Sequence, residues 1–415
     1  MAKLLEIEEP VRGALAPPQW RAFLELGFRP LYLAGTLWAA VSLALWVFAP
    51  QALTGPLGGV AWHAHEMLWG FIATIAVGFL LTAGANWTGI NPLHGKRLGA
   101  LALLWVLARA GYLIPAGAGF WLGAASETLF FGWAAAALGR AIYSARSRRN
   151  YGIPLLVLGL GAANALYLLS ARQGDYAVLL MRFDIGLLCM AVIALLVARR
   201  VIPFFATRAV AGLEIPMHTR SGQWQLGAGL LAIAFLLAGW LPAAGIALAA
   251  TGALTCWQVL AWRPWAVRRV PLLWILYAGY AALGAGLLVA AAHAAGWVLR
   301  LAWPAHVIGV GGFSVLIIGM VTRTALGHLG RPLRTDRSMV AAYALVILAA
   351  ALRLLALLPT AFAIGALHAS TAAWILAFGL YLWRFFPMLI RPRIDQAAAR
   401  VPVPRKTASN FHPLS

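Results

Sequence analysis

Leu187-Leu188-Cys189-Met190-Ala191-Val192-Ile193-Ala194-Leu195-Leu196-Val197-Ala198 runs straight into Arg199-Arg200, and the reading of this boundary decides the fold. The apolar run reaches back to Tyr176 with Arg182 and Asp184 as its charged interruptions. Roughly 20 apolar residues wound as an α-helix cross the hydrocarbon core of a bilayer, and cationic residues gather where such a helix meets the cytoplasmic headgroups. The same pattern recurs along the chain. Of its 415 residues 63% are apolar and 10% charged, with a mean hydropathy of +0.84, a balance foreign to soluble globular domains. Apolar runs predict helices near 27–48, 62–83, 97–114, 120–144, 153–170, 176–198, 223–241, 244–262, 271–293, 300–323, 338–357 and 361–386. The expected fold class is an all-α integral membrane protein, a bundle of about twelve transmembrane helices. It forms one polytopic domain over 27–386, between an N-terminal tail over 1–26 and a C-terminal tail over 387–415. The longest polar break, from Arg199 to Ser221, is too short for a separate domain, which takes at least about 50 residues.

The formal charge of +21 suggests nucleic acid until its positions are read. Basic residues gather in the tails and in alternate loops, at Lys96, Arg97, Arg146, Arg148, Arg149, Arg199, Arg200, Arg208, Arg263, Arg268, Arg269, Arg331, Arg334 and Arg337. The loops near 49–61, 115–119 and 242–243 contain none. This positive-inside bias predicts that both termini are cytoplasmic. The lipid bilayer, with its anionic headgroups, is the expected partner of the charge, and nucleic acid is not. Glu6, Glu8, Glu9 and Pro10 take the place of the positive start that a cleavable signal peptide needs. Cys189 and Cys256 sit singly in apolar runs, and no C-x-x-C-H sequence for covalent haem occurs.

Ionisable side chains inside apolar runs are expensive and mark function by default. Orienting each helix by the basic loops places His63, His65, Glu66, Arg109, Glu127, Arg182, Asp184, His293, His306, Arg353 and His368 in the outer halves of their helices. His94, His218, His328 and His412 fall in cytoplasmic loops or the tail, where a solvated role is expected. Imidazoles beside arginines suit a haem, because neutral histidine supplies axial ligands and arginine pairs with propionates.

Several stretches resemble the NnrS family: Phe28-Arg29-Pro30-Leu31-Tyr32, Trp62-His63-Ala64-His65-Glu66-Met67-Leu68-Trp69-Gly70-Phe71, Gly78-Phe79-Leu80-Leu81-Thr82 and Asn86-Trp87-Thr88-Gly89. Arg199-Arg200-Val201-Ile202-Pro203-Phe204-Phe205 and Gly319-Met320-Val321-Thr322-Arg323-Thr324-Ala325-Leu326-Gly327-His328 do so too. The resemblance implies a bacterial inner-membrane protein of about twelve helices that contains haem and copper and protects against nitric oxide. It leaves the electron donor open. Three roles follow: a haem-dependent redox protein directed at nitric oxide, a transporter of a metal or nitrosyl species, and a haem-bearing sensor or scaffold. The haem–copper oxidases and nitric oxide reductases build a second metal site from histidines on their sixth and seventh helices. This chain has none there, only Arg182, Asp184, Cys189 and Met190.

The expected axial ligands of a b-type haem are His65 and His306. They share the pattern Trp62-x-Ala64-His65 and Trp303-x-Ala305-His306, and each is followed thirteen residues later by glycine, Gly78 and Gly319. His63 and His368 are the substitutes, and His293 is a further metal candidate. Arg182 and Asp184, with Arg109 or Arg353, are expected to form a buried network around propionates or a polar substrate. His63 and Met67, four residues apart, offer copper an imidazole and a thioether on one helix face.

Overall fold

The twelve apolar runs each wind as one long helix, and the computed structural model, which describes residues 17–215 and 219–394, holds no strand within them. In chain order the helices are α1 (Phe28–Phe48), α2 (Gly59–Thr88), α3 (Gly95–Leu113), α4 (Gly117–Ser144), α5 (Gly152–Gln173) and α6 (Tyr176–Ala209). Then come α7 (Thr219–Leu237), α8 (Leu241–Ala261), α9 (Pro271–Ala294), α10 (Ala302–His328), α11 (Arg337–Leu355) and α12 (Ala363–Leu389). A single turn, Trp20–Phe23, precedes α1. Nine of the described helices are long and apolar enough to cross a membrane, and α3, α4 and α7 fall outside that set. Charges inside them lower their apolar content: Lys96, Arg97 and Arg109 on α3, Glu127 and Arg140 on α4. Most of both expected tails, with His218 and His412, lies outside the described residues.

Local chemistry sets several helix ends. Asp175 caps α6 by accepting from the Val178 N–H at 3.0 Å, and Asp336 caps α11 from the Met339 N–H at 3.1 Å. Gly89 and Gly174 end α2 and α5 in the left-handed conformation, at φ 71° and 77°. α6 does not stop near 198 as expected but runs on to Ala209. Past the arginine pair the sequence turns apolar again, and Arg200 turns sideways to donate to Asn150 Oδ1 at 2.9 Å and Arg149 O at 3.1 Å. The arginines decorate this helix and do not end it. Most of the break expected between Arg199 and Ser221 is therefore helical.

α2 and α10 depart from α-geometry at corresponding places. π-helical turns occupy Glu66–Ala73 and Val307–Ser314, each starting directly after a histidine. Hydroxyls brace the widened turns: Thr74 donates to Trp69 O at 3.0 Å and Ser314 to Gly309 O at 2.9 Å. Both bonds span five residues, the i→i+5 step of a π-helix.

Most successive helices pack side by side, α2 also packs on α4, and α12 returns onto α1, where Trp374 Nε1 donates to Ala39 O at 2.8 Å. α2, α6 and α10 touch one another pairwise. They are also the most enclosed of the candidate spans among the described residues. Every fourth helix thus forms the centre, and the cavities lie around it.

Candidate functional site

Glu66 opens the π-helical turn of α2, and its carboxylate is held from three directions. Trp38 Nε1 of α1 donates to Oε2 at 2.5 Å, Arg109 Nη1 of α3 donates to the same oxygen at 2.9 Å, and His65 Nδ1 lies 2.9 Å from Oε1. The other arm of the Arg109 fork pairs with Glu127 Oε1 of α4. The second Glu127 oxygen accepts from the Tyr112 hydroxyl at 3.0 Å and meets His65 Nε2 at 2.9 Å, where Asn164 Oδ1 of α5 also approaches to 2.9 Å. His65, Glu66, Arg109, Glu127 and Asn164 are all buried. Charges survive such burial only when paired and hydrogen-bonded, and one guanidinium between two carboxylates meets that demand. Gly70 makes the room, since a Cβ there would stand 2.5 Å from Glu66 Oε2 and 3.0 Å from Trp38 Nε1. Both ring nitrogens of His65 face groups of the protein.

Beside this network lies a cavity of about 230 Å³. Its wall includes His63 and Met67 of α2, His306 of α10 and Arg353 of α11. The His63 and His306 rings stand 6.4 Å apart, centroid to centroid, and 22° from parallel. Trp46 stacks on His63 at 4.0 Å. His306 Nδ1 lies 2.6 Å from Ala302 O, a bond that makes Nδ1 the donor and leaves Nε2 with a lone pair. His63 Nδ1 is buried without a hydrogen-bond partner. Two imidazoles bound to one ion through metal–nitrogen bonds of about 2.0 Å have centroids roughly 6 Å apart, a separation close to that of this pair. Among the described residues no group of three or more His, Cys, Asp and Glu side chains gathers as a metal cluster. The nitrogen and sulfur donors on this wall are two imidazoles and a thioether, beside the hydroxyls of Tyr176, Ser314, Ser370 and Thr371.

The remaining sequence candidates are scattered. Arg182 donates to Leu166 O at 2.6 Å and forms no ion pair with Asp184 among the described residues; the buried network forms around Arg109 instead. The reason is geometric: Arg182 is half-buried beside α5, while Arg109 points into the space between two carboxylates. His293 ends α9 with Nδ1 2.5 Å from Val298 O, and His368 is exposed beside the Phe48 ring. Sequence reasoning overlooked Trp38, Gly70, Tyr112 and Asn164. Asn164 carried a usable signal, an amide in the middle of an apolar run.

Two more cavities continue along α2, α6 and α10. A narrow apolar one of about 90 Å³ shares Ile72 with the histidine cavity. It shares Tyr32, Phe79 and Val197 with a third of about 790 Å³ at the opposite end of the bundle. Arg149, Arg200, Arg323 and His328 line this largest cavity, with Trp87, Phe204 and Phe205. His328 is thus not in a solvated loop as expected but is the last residue of α10, half-buried on a cavity wall. Residues 22–393 match the profile of a family described as NnrS protein, and no curated protein matches the chain.

Proposed function

Because this chain belongs to the NnrS family and is a multi-pass membrane protein of a family linked to the nitric oxide response, we propose that it is a haem-binding redox protein of the bacterial inner membrane, in which His63 and His306 would hold the haem. In this reading about twelve helices span the membrane, both termini are cytoplasmic, and the histidine cavity lies in the periplasmic half. The observation that carries it is the facing pair of rings 6.4 Å apart on one cavity wall. A haem bound there would supply an iron that exchanges one electron. The chain's own residues do the rest. The Ala302 carbonyl fixes the His306 tautomer, Trp46 holds the His63 ring in place, and Arg353 offers its guanidinium to a propionate. Nitric oxide, small and uncharged, is the expected small-molecule partner, and it suits an apolar approach through lipid.

A second reading is copper, favoured by two observations. Met67 shares the wall with both histidines, and a thioether with imidazoles suits Cu(I). At about 230 Å³ the cavity is also smaller than the roughly 300–1,000 Å³ of most small-molecule sites, so a bare ion enters with less movement of side chains than a macrocycle. The optical spectrum of the purified protein, oxidised and reduced, with and without nitric oxide, tests both. A six-coordinate low-spin haem that disappears in His63→Ala and in His306→Ala is the expected result. The haem reading fails if that spectrum persists in the double variant, or if the protein carries copper and no haem.

A further inference from the structure

The largest cavity lies far from the histidine pair, and the redox reading leaves it without a role. Three guanidiniums, of Arg149, Arg200 and Arg323, stand on its wall, and no Asp or Glu lines it among the described residues. Arg323 is the informative one. It is 5% exposed, its guanidinium lies 3.8 Å from the centroid of the Phe205 ring, its Nε has no hydrogen-bond partner, and it forms no ion pair among the described residues. Arg200 is held by neutral acceptors alone, the Asn150 amide oxygen and the Arg149 carbonyl. The contrast with Arg109 is direct, since that arginine has a carboxylate on each arm.

A buried guanidinium without a counter-charge is costly, and its planar fork matches the oxygens of a phosphate. Much of the rest of the wall is apolar, with Leu196 and Val197 of α6 and Ile153 of α5 beside the aromatic rings, and Thr82, Asn86, Thr207 and Thr324 add neutral polar groups. A volume of about 790 Å³ exceeds what a bare anion fills and suits an anionic head with part of an apolar body. We infer that this cavity binds the phosphate end of an anionic phospholipid, with Arg323 and Arg200 on the phosphate and part of an acyl chain along α6. The inference does not depend on haem or copper. It gives a role to segments around Asn86-Trp87, Arg199–Phe205 and Arg323–His328, which lie apart in sequence and meet at this one cavity.

Native mass spectrometry of the full chain, purified in neutral detergent, tests it. The protein is titrated with phosphatidylglycerol, with phosphatidylcholine and with inorganic phosphate. One phosphatidylglycerol per chain should be retained with at least a ten-fold preference over phosphatidylcholine. Arg323→Gln should remove the preference, while Arg268→Gln, in the loop before α9, should keep it. If Arg323→Gln does not fold, the Arg149→Gln, Arg200→Gln double variant is read in the same way. Equal retention of the two lipids overturns the proposal, as does an unchanged preference in the cavity variants. Displacement of the lipid by inorganic phosphate alone, at comparable concentration, overturns the lipid as occupant and leaves a free-phosphate site.

Discussion

α2 and α10 begin alike and arrive at different chemistry. Each carries tryptophan, alanine and histidine at the same spacing, each enters a π-helical turn directly after the histidine, and each reaches a glycine thirteen residues later. Yet His65 is sealed among Glu66, Glu127 and Asn164, whereas His306 stands on the wall of a cavity with one nitrogen on a backbone carbonyl. The difference comes from the neighbours. Across from His65, α4 and α5 bring a carboxylate and an amide; across from His306 stands His63. A shared local pattern fixes depth along a helix, and the opposing helices decide which groups each histidine faces.

The strongest way to break this contrast is Arg109→Leu. It leaves Glu66 and Glu127 buried without their shared cation, and breaking a buried charge set from one side costs about 3–5 kcal/mol. The yield of folded protein and its thermal unfolding temperature in detergent should both fall sharply. His306→Ala should disturb folding far less, and an Arg109→Leu variant as stable as the wild type would show that the network is not what holds α2, α3 and α4 together.

The histidines can be compared directly. His65→Ala removes a ring that meets both carboxylates and should cost roughly 1–3 kcal/mol while leaving metal or haem content intact in the folded fraction. His63→Ala should do the reverse, with near-normal unfolding and loss of the bound group by absorption spectroscopy and metal analysis. Loss of that group in a folded His65→Ala protein, with retention in His63→Ala, would invert the assignment.

Gly70→Ala asks whether the network depends on close approach. Its added methyl would press on Glu66 and Trp38, an overpacking expected to cost about 1–3 kcal/mol in thermal unfolding. An unaltered unfolding temperature would mean that the α2 turn yields easily.

The smallest effect is expected at Asp336, which meets the Arg384 Nε at 2.6 Å in a half-exposed pair. Burial alone would raise this carboxyl, but hydrogen bonds from Ser338, the Met339 N–H and Arg384 outweigh it and hold the group below its ordinary range. A carboxyl depressed on folding lends stability above its unfolded pKa of about 3.9, and that stability is lost as pH falls through the lower folded value. Discounted for exposure, Asp336→Asn should cost under about 1 kcal/mol near neutral pH and nothing at strongly acidic pH. A loss as large as that of Arg109→Leu would erase the distinction between buried and exposed pairs.

Much of this architecture was legible in the residues. The apolar runs mark twelve long helices, and ionisable groups inside them mark His63, His65, Glu66, Arg109, Glu127 and His306, which meet at one end of the bundle. Which of these face one another was not legible, because spacing gives height and one helix face but not the rotation of the facing helix. Hence the sequence pairs His65 with His306, while the fold sets His63 opposite His306. Arg182 and Asp184 looked like natural partners, but at two residues apart they lie on different sides of α6 and form no ion pair. The basic cavity escaped notice because Arg149, Arg200 and Arg323 look like an ordinary positive-inside signal, and only the fold brings the turn before α5 together with α6 and α10.

The widened turns of α2 and α10 also bear on how tolerant each helix is to changes in its length. A π-helical turn amounts to one residue inserted into an α-helix without a break in the chain. Removing a single residue from Glu66–Ala73 would let that stretch close into 3.6 residues per turn, and because the widened turn already absorbs the extra residue, the segments on either side would keep nearly the same facing. His63 would then stay on the cavity side, whereas the loss of one residue from the α-helical stretch Thr74–Thr88 would turn the two parts of α2 by roughly 100° relative to one another, so the widened turn is where this helix tolerates a change of length.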